Sequence, residues 1–217
     1  MSKQLIWNTG SRHDWEGMTD GWKRWYDKFS KQSSEATRTI IELAKIREGM
    51  TVLDLACGSG EPSLSMARTV GPKGHVIATD IVPRMLEVAE ANSENEGLSN
   101  IEFRMADAEA LPFEDESFDA VTCRFGAMFF SSPERAMLEA RRVLRNMGSI
   151  ALVTWGPLEE NPRFTTTTSI IEKHREGSGK GSDSSNFNCE NSLFRFAKHG
   201  SLSNILKKAD FQDVSEK

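Results

Sequence analysis

Val52-Leu53-Asp54-Leu55-Ala56-Cys57-Gly58-Ser59-Gly60 decides the fold of this chain. Residues 51–55 read as a buried strand, and Gly58-Ser59-Gly60 closes it in a tight turn. Pro62 suits the first turn of a following helix, where its missing N–H costs nothing. A strand running through such a turn into a helix lets a ligand come close to the backbone, because Gly58 and Gly60 carry no Cβ.

Towards the C-terminus the same alternation repeats. Residues 71–74 are a turn and 75–79 a second strand. Pro83 opens a helix with Met85, Val88 and Ala89 on one face. Strands follow over 101–105 and 118–123, then a helix over about 133–145 with Ala136, Ala140, Val143 and Leu144 inward, then a strand over 149–155. Five strands alternating with helices predict a parallel sheet with right-handed crossovers, a Rossmann-like α/β fold with helices on both faces. The run Ile150-Ala151-Leu152-Val153 fits a strand buried on both faces.

Towards the N-terminus, Trp22, Trp25, Tyr26 and Phe29 fall at i, i+3, i+4 and i+7, the stripe of one amphipathic helix. A second helix is expected over 34–46. Residues 1–48 are thus read as a helical cap and 49–217 as the α/β domain. A flexible insertion is placed at about 163–195, where 177–185 is rich in Gly and Ser and a helix is expected over 163–174. A helix over 201–209 and the start of a strand over 211–214 follow. Only the start of a sixth strand is visible, which leaves the fifth strand at an exposed edge; a homodimer or reduced stability is the expectation.

Composition narrows the partners. The chain has 217 residues, 27 Lys plus Arg against 32 Asp plus Glu, and a net charge of −5. That length suits one domain, and the acidic balance argues against a nucleic-acid partner. Cys57, Cys123 and Cys189 have neither disulfide-framework nor zinc spacing, so no metal is expected. No signal peptide and no apolar run of membrane-spanning length is visible, so the expected compartment is cytoplasmic.

Asp80 ends the second strand, twenty residues after Gly60. An acid there can hold both hydroxyls of a ribose, so the pair points to an adenosine-type ligand. A dinucleotide fingerprint would put its third glycine where Ser63 stands. The single tyrosine, Tyr26, is followed four residues on by Ser30, which excludes the Tyr-x-x-x-Lys form of hydride chemistry.

Four segments in order, Asp54 to Gly60, Ala78-Thr79-Asp80, Ala106 to Phe113 and Ser117 to Val121, resemble a class I S-adenosylmethionine (SAM) methyltransferase. The likeness is to the type 11 and ubiquinone/menaquinone-biosynthesis group. It implies SAM as cofactor and a role for each matching position. Gly58, Ser59 and Gly60 would lie along its methionine and ribose, with Ala56 and Ile81 beside them. Asp54 would organise the loop and reach the methionine amine. Asp80 would bind the ribose, and Asp107 with the Ala108 backbone would bind adenine. Arg124 stands where the family often faces the methionine end, although quinone methyltransferases often carry Ser there. Asn146-Met147-Gly148 replaces the family's Pro-Gly-Gly and is expected to alter only a turn.

For the acceptor, Trp22 and Tyr26 in the cap and Phe125 and Phe129 after the fourth strand are candidates. Packing is the plain alternative for all four. No residue stands out as a catalytic base. The expected function is in-line methyl transfer to a small, partly apolar acceptor. A non-catalytic SAM-binding scaffold is the first alternative and an NAD-dependent oxidoreductase the second.

Overall fold

The computed structural model describes residues 12–175 and 192–216. Five strands form one sheet: β1 (Thr51–Leu55), β2 (His75–Asp80), β3 (Ile101–Met105), β4 (Phe118–Arg124) and β5 (Leu144–Val153). They lie in the order β3-β2-β1-β4-β5, and every pair is parallel. The chain runs outward from β1 to β3, returns to place β4 on the other side of β1, and so opens a crevice at the carboxyl ends of β1 and β4.

Alternate residues of each strand point to opposite faces. Leu53, Leu55, Val121 and Cys123 join one buried cluster with Phe118, Met128 and Val143. Val52, Val76, Ala120 and Ala151 join the other with Met66, Ala67 and Val70. Burial on both faces explains why these strands read as unbroken apolar runs.

Helices α4 (Ser63–Val70), α5 (Pro83–Asn95) and α6 (Pro133–Val143) supply three of the four crossovers, and a helix-free segment joins β3 to β4. Pro83 and Pro133 occupy the first helical turn, where a fixed φ is an asset. Ser132 caps α6 by accepting the Arg135 N–H at 3.4 Å. That helix ends one residue before the expected inward Leu144, which is buried but begins β5 by pairing with Phe118. A register shift follows, so β5 starts five residues ahead of the expected 149. Residues 145–147 bulge outward, with Met147 left-handed (φ 65°) and 95% exposed.

At the N-terminus the expected single helix is bent into α1 (Arg12–Arg24) and α2 (Tyr26–Gln32), hinged at Trp25. Helical hydrogen bonds cross the bend: Trp25 N–H reaches the Gly21 carbonyl at 3.1 Å and Phe29 N–H the Trp25 carbonyl at 3.0 Å. The periodicity is therefore kept while Trp25 turns out to solvent. Helix α3 (Ser34–Leu43) is shorter than expected and buries Ile40 completely among Val52, Met66 and Val76, so it shares a core with the sheet.

Of the span 163–195, helix α7 (Pro162–Arg175) accounts for the first part. Residues 176–191, including the Gly/Ser-rich 177–185 and Cys189, lie outside the described residues. Phe194 and Phe196 are buried, and α8 (Ser201–Lys208) packs on α6. Residues 211–214 form no strand. No helix among the described residues is long and apolar enough to cross a membrane.

Leu53 is fully buried at the centre of the sheet. Leu53→Ala is expected to cost about 2–5 kcal/mol, read as a lower midpoint in urea unfolding with an unchanged slope.

Candidate functional site

The loop after β1 is built by backbone conformation. Ala56 (φ 54°), Gly58 (φ 55°) and Gly60 (φ 118°) are all left-handed. At Gly60 glycine is also required for space, since a Cβ would stand 2.6 Å from Leu64 Cδ1. At Gly58 a Cβ would meet nothing within 4 Å, so the space beside that backbone is open. Cys57 N–H donates to the Thr79 carbonyl at 2.9 Å, and the Asn92 amide donates to the Ser59 carbonyl at 2.9 Å. Strand β2 and helix α5 thus hold the loop at both shoulders.

Asp54 lies directly beneath it and is completely buried. One carboxylate oxygen accepts from Ser63 Oγ at 2.5 Å and the other from Thr122 Oγ1 at 2.7 Å. Burial pushes its pKa up to about 6, against the pull of those two hydroxyls and of Arg124. The sequence suggested that Asp54 also reaches outward to a ligand amine. In the structure each oxygen takes one hydrogen bond inside the protein, tying β1, α4 and β4 together.

Asp80 serves the loop as well. Its oxygens accept from Gly58 N–H and Val82 N–H, each at 2.9 Å. Burial raises its pKa, opposed by these backbone donors. Beside it, Ile81 is 42% exposed, and Met105 at the end of β3 is 55% exposed. Asp107 is exposed; one of its oxygens accepts from Glu109 N–H at 2.9 Å. Two exposed apolar side chains thus stand close in the chain to Asp80 and Asp107 at the ends of neighbouring strands. Met105 escaped the sequence reading because a Met ending a strand carries no motif. Ala108 packs inward on the core cluster.

Arg124 ends β4. Its guanidinium donates to Thr37 Oγ1 at 2.6 Å, to the Ser33 carbonyl at 3.4 Å and to the Glu61 carbonyl at 2.7 Å. It therefore clamps α3 to the residue that follows Gly60. A long, forked donor is drawn to three acceptors that the strand end alone could not satisfy. The Glu61 side chain accepts from Ser65 Oγ at 3.0 Å and pairs with Arg68 at 2.9 Å.

Two strings of aromatic rings border the carboxyl ends of β4 and β5. Phe29, Trp22, Trp15 and Phe129 form the first, with centroids 4.7, 6.4 and 4.9 Å apart in turn. Phe125, Trp155, Phe164 and Phe194 form the second, at 4.4, 4.9 and 5.2 Å. Trp22, Phe125 and Phe129 were anticipated here; Trp15 and Trp155 were not. The spacing of seven between Trp15, Trp22 and Phe29 was the signal available for the first. Tyr26 lies apart from both strings. Burial and the nearby Glu61 push its phenol up to about 12, so it stays protonated at neutral pH. His13 and Asp14 are exposed on α1. Among the described residues no cluster could hold a metal ion.

A doubly wound parallel sheet with a left-handed glycine loop after β1 and an acid ending β2 is a Rossmann-like arrangement, and sequence comparison places it among the SAM-dependent methyltransferases. The chain belongs to the methyltransferase domain family, whose sequence model matches residues 46–185. It is 40% identical over 117 residues to the ubiquinone/menaquinone biosynthesis C-methyltransferase UbiE of Hahella chejuensis, covering 54% of this chain and 47% of that one. With the Klebsiella pneumoniae UbiE it shares 31% identity over 182 residues, covering 82% of this chain and 72% of that one. The chain thus spans about half the length of several curated relatives. A SAM-dependent methyltransferase from Aquifex aeolicus superposes with a TM-score of 0.54 at 25% identity, covering 66% of this chain and 78% of that one.

Two outcomes follow. Because Asp54 keeps its proton longer when folded (about 6) than when unfolded (about 4), its contribution to stability is lost as pH rises from about 4 to 6. Unfolding in urea across that range should show this fall in the wild type relative to Asp54→Asn. Arg124→Met should raise hydrogen exchange in α2 and α3, with about 2–4 kcal/mol of stability lost through the three stranded acceptors.

Proposed function

We propose that this chain transfers the methyl group of SAM to a small, partly apolar acceptor, and that the acceptor is a hydroquinone-type ring methylated at carbon. The single observation that carries the reading is the open backbone at Gly58, whose N–H is held by the strand-end acid Asp80; the edge-on pair of Trp15 and Phe129 after β4 supports an apolar acceptor. The names of the curated relatives support the acceptor class.

SAM fits the residues present. The backbone at Gly58 and Ser59 can approach its methionine and ribose. Asp80 has lone pairs beyond those given to Gly58 and Val82 for the ribose hydroxyls. Ile81 and Met105 would cover the faces of adenine, and the second oxygen of Asp107 would accept from its amino group. SAM supplies a methyl already activated on a sulfonium. The chain's own task is to orient the acceptor and exclude water, and positioning of this kind is worth roughly 7–11 kcal/mol. Trp15, Trp22 and Phe129 would hold a flat, apolar ring by stacking. Asp54 and Arg124 act indirectly, by fixing the loop and the cap.

The test is transfer of labelled methyl from SAM to a demethylated hydroquinone, beside calorimetric titration with SAM and with NAD. Binding of SAM without transfer to any hydroquinone or phenol would favour a non-catalytic scaffold; binding of NAD alone would remove the proposal. Asp107→Ala, at an exposed position, should weaken SAM binding about tenfold or more, the worth of a charge-assisted hydrogen bond. Trp15→Ala should raise KM for the acceptor about tenfold and leave the SAM Kd unchanged.

A further inference from the structure

Trp25 is 48% exposed at the bend between α1 and α2. A tryptophan on a helical apolar stripe would ordinarily be covered. Here the charged ends of Arg24 and Lys28 stand over its ring, 5.6 and 5.5 Å from the centroid. Lys23 and Lys31 are exposed beside them, so residues 22–32 carry four cations against one acid, Asp27. None of the four forms an ion pair among the described residues. The nearest acids on either side are taken: Asp20 pairs with Arg84 at 2.9 Å, and Glu35 faces Arg38 at 3.8 Å. In a chain of net charge −5 this is a local reversal of sign around one bare aromatic ring.

We propose that the bend between α1 and α2 docks the protein on an anionic lipid surface, with Trp25 as the interfacial anchor and Lys23, Arg24, Lys28 and Lys31 as its electrostatic contact. An indole suits this place, because its body is apolar and its N–H can stay hydrated at the headgroup level. The two cations that cover the ring in water would turn to lipid phosphates and uncover it. Each cation near such a surface multiplies partitioning about fivefold. Helix α1 carries both Trp15 at the mouth and, just past its end, Trp25 at the docking face. Docking would thus bring the mouth close to the layer in which an apolar acceptor dissolves. The docking itself does not depend on what the acceptor is.

The experiment is sedimentation of the full chain with vesicles of phosphatidylcholine alone and of phosphatidylcholine with phosphatidylglycerol, at about 0.05 and 0.5 M salt. Binding is expected only to the anionic vesicles and only at low salt. Lys28→Glu with Lys31→Glu should reduce it at least about 25-fold. Brominated lipid should quench the wild type more than Trp25→Phe. Circular dichroism checks that the variants fold; the salt dependence and the quenching stand even if the double variant does not. No binding by the folded wild type, equal binding to neutral vesicles, or full binding by the folded double variant would overturn the proposal. So would retention on a single-stranded oligonucleotide with none on vesicles, which would assign the face to a polyanion in solution.

Discussion

A carboxylate with no access to water must find its hydrogen bonds inside the protein, and Asp54 finds two, from Ser63 and Thr122. Those three residues belong to β1, the first turn of α4 and β4. The pairing therefore joins the central strand, the helix that leaves it and the neighbouring strand across the crevice. The left-handed loop at Ala56, Gly58 and Gly60 hangs between these fixed points. Asp80 repeats the device from β2, turning its oxygens towards the loop's own N–H groups. Two acids that look outward-facing in a sequence motif are in large part internal ties. Their burial raises both pKa values, which is the cost of the rigidity they provide.

The sheet was legible because parallel strands covered on both faces leave an unmistakable apolar run. The expected span over 51–55 matches β1 residue for residue; the span over 101–105 matches β3 although Glu102 and Arg104 interrupt its apolar residues. Prolines at 83 and 133 marked helix starts for the same local reason. Where local chemistry was not decisive, the reading went astray. Leu144 continues the inward face of α6 by period, but pairing with Phe118 pulls it into the sheet. The stripe from Trp22 to Phe29 keeps its helical hydrogen bonds, yet a bend at one residue decides whether Trp25 is inside or out.

The site divides in the same way. Glycines, strand-end acids and the position of the loop follow from spacing, because a turn and a hydrogen-bonded acid are short-range devices. The protein partners of Arg124 were not legible, because Thr37 and Glu61 are 87 and 63 residues away in the chain. Met105 and Trp155 were passed over since a single apolar residue at a strand end looks like any other core position until the sheet is assembled. Only the heptad of aromatic residues beginning at Trp15 was present in the sequence and unread.

The guanidinium of Arg124 has one further consequence. It is shared between a helix of the N-terminal segment and the backbone just past Gly60, so loosening either leaves an acceptor there and a donor of the guanidinium unpaired. The two regions form one cooperative unit in spite of their distance along the chain. Linkage then requires reciprocity: whatever free energy a ligand gains by stiffening the loop, the cap returns in kind when it is the cap that is held first. A crevice assembled this way tends to be ready or unready as a whole, and half-formed states are held to low population.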